Sequence, residues 1–208
     1  MASKPIPNPH SAFRNRTLFP VILPVPPEVR DFKPRDRVIY LSRHARRALK
    51  KSAEKSGVRL GEPVKDDNGV PLPFSGIHWS ISHKTRYVCG VAAPLPIGID
   101  VERVRNFSEG LFRKTATERE WALADMQTDS EMAFFRYWTA KEAVLKATGI
   151  GIKDLLKCRV QRIFDDHHLQ IQYDDQNWLI EHFFFNDHVA SIVKSSFQIE
   201  WIVEASTS

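Results

Sequence analysis

Ile77-His78-Trp79-Ser80-Ile81-Ser82-His83, Tyr87-Val88-Cys89-Gly90-Val91-Ala92-Ala93 and Ile97-Gly98-Ile99-Asp100-Val101-Glu102 follow one another, separated only by Lys84-Thr85-Arg86 and Pro94-Leu95-Pro96. Each run has the length and the apolar content of a strand. Three residues cannot hold a crossover helix, so the runs are expected to form an antiparallel meander. Asp100 and Glu102 alternate with Ile97, Ile99 and Val101, which places both carboxylates on one face of their strand and the aliphatic side chains on the other.

Upstream, Asp66-Asp67-Asn68-Gly69-Val70-Pro71-Leu72-Pro73 reads as turns. Before it, a helix is expected from Asp36 or Ser42 to Ser56, ended by Gly57. Leu41, Ala45, Ala48, Leu49 and Ser52 form one stripe of that helix, and Arg43, Arg46, Arg47 and Lys50 the other. The basic stripe is either an ordinary solvated face or a phosphate-binding one. Residues 1–36 are rich in proline and show no sustained periodicity, so they are expected to be an extended arm on the surface.

Downstream the order repeats. Thr117 and Glu120 have capping-box spacing for a helix carrying Trp121 and Leu123. A longer helix is expected over 130–148, broken by Gly149 and Gly151. Strands are then expected near 158–164, 169–173, 178–185, 188–194 and 197–204. Helix then antiparallel sheet, twice, implies an α+β chain of two similar halves packed as an intramolecular pseudo-dimer: residues 1–36 as the arm, 37–103 as the first half and 104–208 as the second. A site is expected at their seam.

A hydrophobic content of 42% over 208 residues is enough for a conventional core. Cys89 and Cys158 have no metal-ligand spacing and read as reduced packing residues, as in a cytoplasmic protein. No apolar run reaches the length of a membrane span, and the N-terminus lacks the layout of a secretory signal. The net charge of +5 favours an anionic partner. Between Arg43 and Arg59, seven basic residues are opposed only by Glu54.

Glu142 lies in Trp138-Thr139-Ala140-Lys141-Glu142-Ala143-Val144-Leu145-Lys146, a segment apolar enough to be at least half buried. An unpartnered carboxylate there is costly. One reading is a plain (i, i+4) ion pair between Glu142 and Lys146. In the other, Glu142 joins Asp100 and Glu102 as a third hard oxygen donor, a set suited to Mg²⁺. Ser80, Ser82, His83 and Lys84 gather donors for phosphate oxygens. His167, His168, His182 and His188 have no ligand spacing and read as turn or packing residues. Nothing resembles a Walker loop, a dinucleotide fingerprint or a nucleophile elbow.

Taken in order, Trp79-Ser80-Ile81-Ser82-His83, Gly98-Ile99-Asp100-Val101-Glu102 and Trp138-Thr139-Ala140-Lys141-Glu142-Ala143-Val144-Leu145-Lys146 resemble the three signatures of 4′-phosphopantetheinyl transferases, of the larger surfactin-synthetase type built as a single-chain pseudo-dimer. The resemblance implies a monomeric enzyme that moves the 4′-phosphopantetheine group of coenzyme A to a serine of an apo carrier protein and releases 3′,5′-ADP. It implies Asp100, Glu102 and Glu142 as magnesium ligands, with manganese as a possible substitute. Glu142 is then also the base, Lys146 the catalytic lysine, and His83, Ser82 and Lys141 substrate-binding residues. Many members have Gly-Lys-Pro before the first signature. Here the nearest stretch is Asn68-Gly69-Val70-Pro71, with Lys65 upstream as the candidate, and Arg43 and Arg47 are candidates for the 3′-phosphate. The acid that some members place ahead of the long helix is Glu118 or Glu120. The alternative is a nucleic-acid-binding module, which accounts for the pI of 9.3 but not for the clustered acids.

Overall fold

The computed structural model describes residues 16–124 and 129–205. The first long helix, α1 (Pro34–Lys55), begins with proline in its first turn, where the missing N–H costs nothing. It ends at Ser56 and at Gly57, whose φ of +67° suits glycine. The stripe expected from the sequence is the face it buries, together with His44 and Ala53. Ser52 is tolerated at the centre because its hydroxyl accepts from the Ala92 N–H at 3.1 Å.

Under α1 lies the hairpin of β3 (His78–His83) and β4 (Tyr87–Ala93), paired in the expected antiparallel register. Gly90 lets helix and strand touch: a Cβ there would sit 2.5 Å from the Leu49 backbone nitrogen.

The meander stops after two strands. β5 (Ile99–Arg103) does not join β4 but pairs antiparallel with β9 (His188–Val193) in the second sheet. Pro94 and Pro96 have no N–H to donate, so the ladder cannot continue through them and the chain crosses over. Its residues Ile99, Asp100, Val101 and Glu102 are all buried, as in a strand covered on both faces.

The expectation of a surface arm is also corrected. Residues 1–15 lie outside the described residues, but β1 (Thr17–Leu18) and β2 (Val21–Pro24) belong to the fold, and β2 pairs antiparallel with β4. Leu18, Val21 and Ile22 are fully buried. The three apolar residues Val21, Ile22 and Leu23 between Pro20 and Pro24 are too few to show a period, yet they bury enough side chain to fix a strand.

After β5 come two short helices, α2 (Glu109–Thr115) and α3 (Glu118–Trp121). The capping box forms: the Thr117 hydroxyl accepts from the Glu120 N–H, and the Glu120 carboxylate accepts from the Thr117 N–H. Helix α4 (Ser130–Thr148) starts at Asp129, whose carboxylate accepts from the Glu131 N–H, and stops at Gly149 in the left-handed region. It is buried on nearly every side and lies on the sheet ordered β5-β9-β8-β7-β6. The remaining strands of that sheet are β6 (Arg159–Ile163), β7 (His168–Tyr173) and β8 (Gln176–Phe185).

The last expected strand is divided into β10 (Gln198–Ile199) and β11 (Ile202–Val203). Each pairs parallel with the N-terminal segment, β10 with β1 and β11 with β2. One cluster of buried side chains runs through both sheets, from Trp79 and Cys89 to Ile99, Tyr137 and Ile192. Both cysteines are buried and free, as packing residues should be.

Candidate active site

The alternation of β5 delivers Asp100 and Glu102 to the side where α4 lies, and both are almost fully buried. From α4, Lys146 reaches back to donate to Asp100 Oδ1 at 2.7 Å and to the Ile99 carbonyl at 3.1 Å. From β3, the Ser82 hydroxyl donates to the same Asp100 oxygen at 2.6 Å. Lys84, just beyond β3, donates to Glu102 at 2.6 Å. Three elements remote in sequence thus meet at one carboxylate.

Glu142 belongs to the same cluster. Burial comes first, and the charge of Asp100 second, in raising its pKa, with Glu102 adding to the effect and Lys146 and Lys84 opposing it. Glu102 is likewise raised, first by burial and then by Asp100. Burial alone would lower Lys84, but Asp100 and Glu102 outweigh it and hold the ammonium above its ordinary value. Three carboxylates therefore share two ammonium groups, and when all are ionised one negative charge is left over.

Asp100 Oδ2 is buried and has no hydrogen-bond partner. An oxygen of that kind is expensive unless something charged or proton-bearing meets it. The donor set, hard carboxylate oxygens with surplus negative charge, suits a divalent cation such as Mg²⁺. Among the described residues no three His, Cys, Asp or Glu side chains already stand at ligating separation. Lys84 and Lys146 hold two of the acids instead.

A cleft of about 820 Å³ opens beside this cluster. Ser80 and Ile81 of β3, the 65–71 loop, Glu142 and Lys146 of α4, and residues 149–153 line it. The basic groups at and beside it disfavour one another's protonation. His83 is lowered first by burial and then by Lys146, Lys84 and Lys65, and Lys65 is lowered by burial, then by Lys146 and Arg46. Such mutual repulsion among cations lowers when an anion enters.

Of the residues expected at the site, Asp100, Glu102, Glu142, Lys146, Ser82, His83 and Lys65 come together. Lys141 does not, and its assignment to the substrate is corrected. Its ammonium is fully enclosed, donating to the Thr115 carbonyl at 2.7 Å and to Glu120 at 2.6 Å. Consecutive helix residues point about 100° apart, so Lys141 and Glu142 cannot serve the same surface. Glu120 is thereby occupied as a structural partner, also accepting from the Val160 N–H at 2.9 Å. Arg43 and Arg47 are exposed on α1. The charge on that helix that reaches Lys65 is Arg46. Lys84, expected among the phosphate donors, binds Glu102 instead, and Arg46, expected only as one member of the basic stripe, is the residue of that stripe whose charge acts on Lys65.

Residues 96–195 match the family model described as the 4′-phosphopantetheinyl transferase superfamily. The segment contains Asp100, Glu102, Glu142 and Lys146, whereas Ser82, His83 and Lys65 precede it. The chain is 32% identical over 90 residues to the 4′-phosphopantetheinyl transferase gsp of Aneurinibacillus migulanus, covering 42% of this chain and 38% of that protein. It is 39% identical over 100 residues to the 4′-phosphopantetheinyl transferase HetI of Nostoc sp., covering 46% and 41%. It is 28% identical over 127 residues to the 4′-phosphopantetheinyl transferase Sfp of Bacillus subtilis, covering 60% and 56%. The chain thus spans about two-fifths to just over half the length of these curated relatives.

Proposed function

We propose that this chain, whose residues 96–195 belong to the 4′-phosphopantetheinyl transferase superfamily, transfers the 4′-phosphopantetheine group of coenzyme A to a serine hydroxyl of an apo carrier protein, with magnesium, and releases 3′,5′-ADP. The observation that carries the reading is the meeting of Asp100 and Glu102 from β5, just behind the cleft wall, with Glu142 and Lys146 of α4, which line it. The two helix-on-sheet halves are read as a pseudo-dimer with this cleft at the seam.

In this mechanism the serine oxygen forms a bond to the phosphorus that carries pantetheine, and the bond from that phosphorus to 3′,5′-ADP breaks. Glu142 accepts the hydroxyl proton, a role helped by burial and neighbouring acids that raise its proton affinity. Lys146, already at the cleft wall, donates to the transferring phosphoryl oxygens. His83 and Lys65 hold coenzyme phosphates, while the Ser82 hydroxyl, expected there too, is spent on orienting Asp100. Asp100, Glu102 and Glu142 would hold Mg²⁺, which supplies charge neutralisation on the diphosphate when bound. Most of the rate gain comes from this fixed electrostatic arrangement and from alignment.

A nucleic-acid module is not favoured, because three carboxylates beside the cleft repel a phosphate backbone. Among the described residues no helix is long and apolar enough to cross a membrane. Intact-mass spectrometry of apo carrier proteins incubated with coenzyme A, Mg²⁺ and the chain tests the proposal. A gain equal to one phosphopantetheine group on the carrier serine is expected; unmodified fatty-acid, polyketide and peptide-synthetase carriers would refute it.

A further inference from the structure

Beneath α4, where the sheet side of a helix normally presents only apolar groups, three polar side chains form a chain. Thr139 Oγ1 lies 2.6 Å from Ser191 Oγ, and Ser191 Oγ lies 2.8 Å from His182 Nδ1. All three residues are at most 1% exposed. Thr139 Oγ1 also donates to the Phe135 carbonyl at 2.8 Å.

The protons then have one consistent order. Thr139 spends its single proton on Phe135, so Ser191 donates to Thr139, and His182 must donate from Nδ1 to Ser191. This fixes His182 as the Nδ1–H tautomer, leaving a bare lone pair at Nε2, the atom that has no partner. The reverse order would leave a buried N–H unpaired instead.

The location of this chain matters. Ser191 stands opposite Asp100 in the β5–β9 ladder and opposite His182 in the β8–β9 ladder. Thr139 is three residues, nearly one turn, ahead of Glu142, and seven ahead of Lys146. Apolar packing tolerates small rotations and slides of a helix, whereas a hydrogen bond at 2.6 Å between hydroxyls does not. We propose that the Thr139–Ser191–His182 relay is a positioning device that sets the register of α4 on β9, and so holds Glu142 and Lys146 against Asp100 and Glu102. It rests on the transfer reaction proposed above, and the three residues are positioning residues that do not touch substrate.

The test combines kinetics with ¹⁵N spectra of His182. In the wild type the spectrum is expected to show Nδ1–H with unprotonated Nε2, and Thr139→Val or Ser191→Ala is expected to shift the Nδ1 resonance. Because a displacement of about 1 Å costs up to ~10²-fold in rate, Thr139→Val should lower kcat by roughly tenfold or more, with KM for coenzyme A unchanged. Thr139→Ser, which restores the hydroxyl, should recover kcat. Ser191→Ala breaks the relay from the sheet side, should lower kcat in the same way, and replaces Thr139→Val if that variant fails to fold. Wild-type kcat in either broken-relay variant, or a serine variant as impaired as the valine one, would overturn the proposal. A wild type that modifies no carrier would sink the transfer reading instead; the relay then stands if the His182 resonance moves in the variants and falls if it does not.

Discussion

Replacing Gly98 by alanine probes the distance on which the site depends. A Cβ at this position would lie 1.8 Å from the Ala143 carbonyl oxygen and 2.8 Å from the Ala147 backbone nitrogen, so the obstacle is the backbone of α4 and not a movable side chain. Ordinary contact requires strand and helix to part by roughly 1.5 Å at this point. The added methyl should destabilise the fold by about 1–3 kcal/mol, the usual range for overpacking. For a chain of this size 2 kcal/mol is a fall of about 6 °C in Tm. Activity should suffer more than stability. Ala143 adjoins Glu142, and the Lys146 contacts to Asp100 and the Ile99 carbonyl cross the widened gap. A loss near 10²-fold in kcat per folded molecule is expected. Gly110→Ala is the control: no atom lies within 4 Å of its Cβ and it sits inside α2, so it should be neutral or stabilising. Thermal melts followed by single-turnover transfer assays decide the matter. Wild-type Tm and turnover in Gly98→Ala would show that β5 and α4 need not be this close.

Asp100→Ala and Glu142→Ala should each abolish pantetheine transfer while far-UV circular dichroism is kept; turnover in either would remove the metal site from the mechanism. Lys146→Ala should lower kcat more than coenzyme A binding, measured by calorimetry, and a pure binding defect would count against its role at the phosphoryl group. Lys141→Met should cost about 3–5 kcal/mol in urea unfolding because it leaves buried Glu120 without its cation. Adding Glu120→Gln should recover part of that loss, and a mild effect of the single variant would contradict the enclosed pair. For pH, burial holds His182 well below 6.5, so the unfolded chain takes up this proton first. Its stabilising contribution is complete above pH 6.5 and is lost as pH falls below that value, by up to ~1.4 kcal/mol per unit until the folded-state pKa is reached. Comparing urea midpoints of wild type and His182→Gln between pH 7.5 and 5 isolates the effect, and parallel curves would refute it.

Local chemistry made much of this molecule readable in advance. α4 runs over the expected residues because Asp129 and Gly149 mark its ends, and α1 buries the stripe its period announces. The acids of β5 and Glu142 were recognisable as a set since charge is costly amid so many aliphatic neighbours. What could not be read was partner choice between strands. The two prolines after β4 break a ladder but do not say where β5 goes next. β2 is too short to show alternation, and β10 and β11 pair with segments far away in sequence. Lys141 misled for a related reason: a motif gives the residue type, while the helix period, applied around Glu142, gives the direction. The Thr139–Ser191–His182 contacts join three remote segments of ordinary sequence, so nothing local flagged them.

The parallel pairing of β11 with β2 has a consequence for how the molecule is made. The first sheet, ordered β11-β2-β4-β3, is finished by residues some 180 positions beyond its second strand. During synthesis that edge therefore stays open until residues 202–203 have left the ribosome. Closing so long a loop slows folding. The exposed backbone of β2 is meanwhile a template for another nascent chain.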